Sequence, residues 1–169
     1  SDLDTYARKI AVMLSQKLNG QKNVPVAVYM EKSINCIIAF MGILYSGNFY
    51  SPIDAHSPGE RIRLVLQALQ PSAILADESA RKNIHETLNT DLEDIAFLEE
   101  AKAINASDYD PAIVKNKILD VDPVYVLFTS GSTGVPKGVI INHKAVIDYT
   151  EWLSDTFSFD EHTVFGNQA

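Results

Sequence analysis

The sequence predicts an α/β domain with a largely parallel sheet flanked by helices. Strand-like and helix-like patterns alternate through most of the chain, the order expected of such a sheet. Its 169 residues suffice for one domain with a real core and are too few for two comfortable ones. A composition of 46% hydrophobic and 21% charged residues is that of an ordinary globular protein rather than a disordered one.

Taken in order, Leu3, Tyr6, Ala7, Ile10, Ala11, Leu14 and Leu18 keep the i, i+3, i+4, i+7 rhythm of an amphipathic helix, which Asn19-Gly20 stops. Val24 to Met30 is a short β-rich run. Ser33 can cap a second helix through Ser46, closed by Gly47. "NFYSPID" gives a strand, and Ser57-Pro58-Gly59-Glu60 spells a capping box with proline at the first helical position. The helix it opens runs to Gln70, where Pro71 ends it. "SAILA" is the next strand, residues 79–89 a helix and "IAFLE" another strand. Lys102 to Asp120 is polar and poorly periodic, a long surface connection with room for a helical turn. Val124 to Ser130 has a buried-strand pattern, "GVIIN" is a further strand, and Asn142 can cap a last helix from His143 to about Phe157.

A net charge of -8 and the lack of any basic stripe argue against a general nucleic-acid binder, whose surface must attract phosphate backbones. The single cysteine, Cys36, excludes an internal disulfide, fits a reducing, cytoplasmic compartment and reads as a small buried hydrophobe. The apolar run Ile34 to Tyr45 is too short to span a bilayer, and nothing at the N-terminus marks the chain for secretion. Acidic groups such as Asp91-Glu93-Asp94 and Glu99-Glu100 read as solvated surface. None of the four histidines forms a metal-type pair, so no protein-held metal is expected. Of these, His143 stands out for opening the last helix. No apolar stripe stands out beyond what a core should consume.

The stretch "FTSGSTGVPKG", residues 128–138, is unlike an ordinary turn. Gly131, Gly134 and Gly138 allow close approach of the backbone to a ligand, and Thr129, Ser130, Ser132 and Thr133 add hydroxyl donors. Lys137 supplies a full positive charge, and hydrogen bonds to charged groups are worth roughly 1.5–3 kcal/mol. Together these suit an oxyanion such as phosphate. The GxxxxGK[ST] pattern started at Gly131 fails, with Pro136 at its second glycine and Gly138 at its Ser/Thr, and there is no GxGxxG loop. Because "KGVIIN" follows, the loop is expected to join two strands and to hold phosphate through its own amides, hydroxyls and lysine rather than through a helix N-terminus.

With those residues laid out, "YVLFTSGSTGVPKGVIINH" resembles the phosphate-binding core motif of the AMP-forming adenylating enzymes, which include acyl-CoA synthetases, luciferases and peptide-synthetase adenylation domains. "GILYSGNFYSPIDAHSPGERI" resembles a second segment of that family, with Gly47, Tyr50, Pro52, Ile53, Asp54, Pro58 and Arg61 in place. Tyr45 and Ser46 replace the usual Lys and Ala, a change expected to affect only local packing. The "FYSPID" form is more similar to the amino-acid-activating branch, and the ending "FGNQA" is similar to a segment of D-alanine-activating ligases of carrier proteins that leads into the substrate pocket.

The resemblance covers the chain from end to end but only the first part of the family's architecture. It implies a single α/β subdomain over residues 1–169, truncated at both ends, from the large N-terminal domain of an adenylating enzyme. The implied reaction is activation of a carboxylate, an amino acid, by ATP with its Mg2+, giving an acyl-adenylate. Transfer to the phosphopantetheine thiol of a carrier protein follows, with the fragment alone inactive. By the same resemblance Thr129, Ser130, Gly131, Ser132, Thr133 and Gly134 hold the ATP phosphates, and Lys137 neutralises the leaving pyrophosphate as the catalytic cation. An acyl-CoA synthetase fragment and a non-catalytic nucleotide-binding module remain as alternative readings.

Overall fold

Two sets of apolar side chains alternate along the strands, and each set needs its own cover. In the structure, a computed structural model that describes residues 2–81, 84, 95–115, 117–129, 136–160 and 162–164, helices provide that cover on both faces. The elements are α1 (Asp2–Lys17), β1 (Pro25–Met30), α2 (Ile34–Tyr45), β2 (Phe49–Asp54), α3 (Gly59–Leu69), β3 (Ala73–Ala76), β4 (Ile95–Phe97), β5 (Pro123–Thr129), β6 (Lys137–Asn142) and α4 (His143–Phe157). The strands form one sheet in the order β4-β3-β1-β2-β5-β6. Every pairing is parallel except the β5–β6 hairpin.

One core collects Val26, Val28 and Met30 of β1 with Ala73, Leu75 and Ala96, under Ile10, Met13 and Leu14 of α1 and Ala39 and Ile43 of α2. The other collects Ala27, Tyr29, Ile53, Ile74, Ala76, Ile95 and Phe97 under Ile62 and Val65 of α3, with Ala80 and Ile84. Each fully buried aliphatic side chain contributes roughly 1.5–3 kcal/mol, and Ile10, Leu14, Ile43, Leu75 and Ile84 are all wholly shielded. The strand-to-helix-to-strand connections through α2 and α3 are the crossovers that a parallel sheet requires.

Several local expectations change. Ser33 sits at the N-cap of α2, but its side chain makes no capping bond; its carbonyl accepts the Cys36 N–H instead. The capping box at Ser57 and Glu60 does not form either. The N-cap of α3 falls on Pro58, one residue later than the expected Ser57, and proline cannot offer a side-chain acceptor. "IAFLE" is strand only over its first three residues, because Leu98–Ala103 turns into a 3-10 helix. Two further 3-10 turns, Ala106–Asp108 and Pro111–Ile113, supply the order within the polar connection. The helix expected over residues 79–89 begins at residue 78; its residues 82, 83 and 85–89 lie outside the described residues, as do Asp91, Glu93 and Asp94. Asp77 starts it, its Oδ1 accepting the Ala80 N–H at 3.1 Å and the Ser79 hydroxyl at 2.6 Å. Cys36 is partly exposed rather than buried, its thiol donating to the Glu31 carbonyl at 3.1 Å.

The Tyr45 and Ser46 replacements do more than fill space. Tyr45 donates to Asp4 at 3.3 Å and stacks on Tyr109, tying α2 to α1 and to the 3-10 turns. Ser46 is buried and donates to the Ile43 carbonyl, while Asn48 donates to its hydroxyl. Gly47 follows with φ +79, a conformation that lets the chain leave α2 for β2.

Helices α1 and α2 approach closely at Gly42. A Cβ there would lie 2.6 Å from the Cβ of Ile10 and 3.0 Å from the Ala7 carbonyl oxygen. Gly42→Ala should therefore force the helices apart and cost about 1–3 kcal/mol, as overpacking does; a lowered midpoint in denaturant unfolding is the measurement. Tyr50, stacked on Phe40 at 4.2 Å, provides a pH signature. Burial, with Tyr125 alongside, pushes its hydroxyl up to about 12 from 10. An acid whose folded pKa is raised contributes stability that is whole below pH 10 and is lost as pH rises towards 12. Stability measured across that window should fall, and Tyr50→Phe should flatten the fall.

Candidate functional site

At their carboxyl ends β2 and β5 part company. Among the described residues their parallel ladder is registered at the single pair Tyr50↔Tyr125. Beyond it, side chains take over the bonding: the buried Ser51 hydroxyl donates to the Val126 carbonyl at 2.9 Å, and Arg61 Nη2 donates to the Phe128 carbonyl at 3.5 Å. The connection from β2 leaves through α3 towards β3, whereas β5 continues the opposite way into β6. Diverging connections leave a crevice at strand carboxyl ends, the usual ligand position in open α/β sheets. Here it is a cleft of about 140 Å³ whose walls include Asp54, Ser57, Arg61, Ile62, Leu127 and Phe128.

The loop singled out from the sequence joins two strands, as expected. β5 and β6 pair antiparallel from Pro123↔Asn142 to Thr129↔Lys137, so the two strands form a hairpin whose base, Thr129 and Lys137, lies at the cleft end of β5. Thr129 donates its hydroxyl to the Lys137 carbonyl at 3.5 Å, and both side chains are exposed. Of the predicted phosphate-binding residues, the structure thus brings Thr129 and Lys137 together; Ser130, Gly131, Ser132, Thr133 and Gly134 lie outside the described residues, as does the ending "FGNQA". Pro136 is buried beside Lys137. Gly138 lies opposite Phe128, where a Cβ would come within 3.0 Å of Val126 and 3.3 Å of the Phe128 ring. Close strand approach, more than loop flexibility, accounts for this glycine.

Two expectations need correction and one holds. The β5 stretch is not buried throughout: Val124 and Val126 are, but Leu127 is 45% exposed, because a hairpin at the sheet edge has one face open. The last helix starts at His143 as expected, with Asn142 Oδ1 accepting the Ala145 N–H at 2.8 Å. Its next free amides are also spoken for, since the His143 and Lys144 N–H groups bond the Asp122 and Asp120 carbonyls. A surplus apolar stripe does exist: no described residue of α4 is buried, and Val146, Ile147, Tyr149, Trp152 and Phe157 are exposed on it.

Asp54 is explained by turn chemistry. Its carboxylate accepts the His56 N–H at 2.9 Å and its carbonyl accepts the Ser57 N–H at 3.0 Å, turning the chain from β2 into α3. His56 lies 3.5 Å from both Asp54 and Glu31 at the rim of a smaller cleft of about 80 Å³. Among the described residues no group of three His, Cys, Asp or Glu could hold a metal ion, and no helix is long and apolar enough to cross a membrane. In the sequence Arg61 stands out only as part of the second motif, a cation three residues after Pro58 and followed two places on by Arg63.

Ser51 makes the site testable for rigidity. Ser51→Ala would strand the Val126 carbonyl in a buried position and should cost about 1–3 kcal/mol, read as a lower unfolding temperature.

A family profile described as AMP-binding enzyme matches residues 1–168. The chain is 34% identical over 157 residues to a D-alanine–D-alanyl carrier protein ligase of Listeria innocua, covering 92% of this chain and 30% of that one. It is 37% identical over 162 residues to the hybrid PKS-NRPS synthetase xenE of Xenoacremonium sinensis, 96% of this chain and 4% of that one. Among solved structures, a fatty acid AMP ligase from Legionella pneumophila superposes with a TM-score of 0.77 at 26% identity, over 95% of this chain and 28% of that one. The nonribosomal peptide synthetase FmoA3, bound to alpha-methyl-L-serine-AMP, gives 0.74 at 25% identity, over 92% and 16%. The chain therefore spans about a third or less of the length of each of these four.

Proposed function

Because the chain belongs to the AMP-binding enzyme family, we propose that it forms the ATP-gripping part of a ligase that activates an amino acid as its acyl-adenylate and passes it to the thiol of a carrier protein. The observation that carries this reading is the β5–β6 hairpin, which brackets residues 130–136 between Thr129 and Lys137 at the cleft end of the sheet. The likeness to D-alanine–D-alanyl carrier protein ligases supports the amino-acid substrate and the phosphopantetheinyl carrier-protein partner. The stretch 1–169 acts here as one α/β subdomain of a larger catalytic domain, inactive by itself, in keeping with the 30% of those ligases that it spans. The lone cysteine suits work in a reducing cytoplasm.

In this mechanism a substrate carboxylate oxygen attacks the α-phosphorus of ATP, and the bond to the β-phosphate oxygen breaks. Thr129, Ser130, Ser132 and Thr133 hold the β- and γ-phosphates through hydroxyl groups, with the amides of Gly131 and Gly134 alongside. Lys137 neutralises the negative charge that builds on departing pyrophosphate. Magnesium, carried in by ATP, would spread phosphate charge further. The carrier thiol, as its thiolate, then attacks the acyl carbonyl and AMP leaves with the bonding pair.

The test is Lys137→Ala in the full-length protein, assayed by carboxylate-dependent exchange of pyrophosphate into ATP. Its kcat should fall about 10²–10³-fold, the usual loss for one preorganised charge donor, with carboxylate binding intact. Equal loss of both would make the lysine a structural residue and remove the catalytic role.

A further inference from the structure

Arg61 is the one cation lining the 140 Å³ cleft among the described residues. It projects from the first turn of α3, is partly buried and, among the described residues, makes no ion pair, its hydrogen-bond partner being the neutral carbonyl of Phe128. Phe128 immediately precedes Thr129, the residue paired with Lys137 at the base of the hairpin. Its ring meanwhile packs against the second core and beside Gly138. Phe128 is thus held by its ring on one side and its carbonyl on another.

We infer that Arg61 is a positioning residue for the phosphate grip: it holds the carboxyl end of β5 at Phe128 and thereby sets where Thr129 and its strand partner Lys137 stand. This rests on the ATP-binding reading proposed above. The comparison with Ser51 is what separates a positioning role from a merely structural one. Two residues earlier on β5, the Val126 carbonyl is satisfied by the wholly buried, neutral Ser51 hydroxyl at 2.9 Å. Strand pairing therefore needs no charge at this edge. At Phe128 the fold uses a guanidinium at 3.5 Å, the long limit of a hydrogen bond, which adds little to stability. Arg61 lines the cleft that polyanionic ATP would border, and its guanidinium has further donors in a planar fork. The side chain thus links the loop base to α3 while raising the positive potential beside it.

The experiment uses the full-length protein with Arg61→Met and Arg61→Lys. Unfolding temperature, KM for ATP, KM for the carboxylate, and the protection from amide hydrogen exchange that ATP confers on residues 129–137 are all measured. Arg61→Met should raise the ATP KM roughly tenfold and weaken the protection, with carboxylate KM and unfolding temperature unchanged. Arg61→Lys should recover part of both effects. Combined with Lys137→Ala, the losses should be less than multiplicative, since both would act on one loop. If Arg61→Met keeps wild-type ATP KM and protection, or if its only effect is a lower unfolding temperature, the inference is overturned. Should the wild-type protein itself show neither exchange activity nor ATP protection, the ATP reading fails, and that outcome is separable from a failure confined to Arg61.

Discussion

Both faces of the central strands must be kept dry, and that requirement arranges most of the molecule. On β1, Val26 and Val28 face one helical layer while Ala27 and Tyr29 face the other. Parallel neighbours must be joined by crossovers, and helical crossovers lying on the two faces give such a strand its cover on both sides. Those crossovers send β2 leftwards to β3 and leave β5 to continue in the other direction. The cleft between β2 and β5 is thus a topological by-product of covering the core. Ligand chemistry can be placed there without disturbing the packing.

Much of this is visible in the residues. The alternation of strand and helix patterns gives the α/β class, and every described strand falls within or against an expected apolar run. The hairpin at Thr129 and Lys137 was legible because "KGVIIN" has no helical rhythm. What could not be read were the events that depend on distant partners. Ser33 has the chemistry of an N-cap, yet with φ -159 and ψ 177 its side chain makes no bond to the first turn. Ser57 and Glu60 spell a capping box, but Pro58 occupies the cap itself and leaves the pair out of place. Leu127 reads as core and is exposed, because only the sheet order tells which strands lie near an edge.

The two motifs that suggested a family are more than sixty residues apart in sequence, and their meeting was not predictable from either. Ser51 of the first bonds the Val126 carbonyl of the second, and Arg61 bonds that of Phe128. Each motif therefore contains half of one structural joint: one half provides the loop, the other the buttress beneath it. That physical dependence explains why small polar and charged residues sit within otherwise apolar, strand-like text.

The chain's single tryptophan, Trp152, lies on the uncovered side of α4, 54% exposed and within a run of rings with Tyr149, Phe157 and Phe159. Indole emission is therefore drawn from the periphery, far along the chain from the packed strands. Any body that seats on this helix would dehydrate the indole and shift its colour. The molecule carries an optical probe of its own surface, and one that is largely deaf to rearrangements within the core.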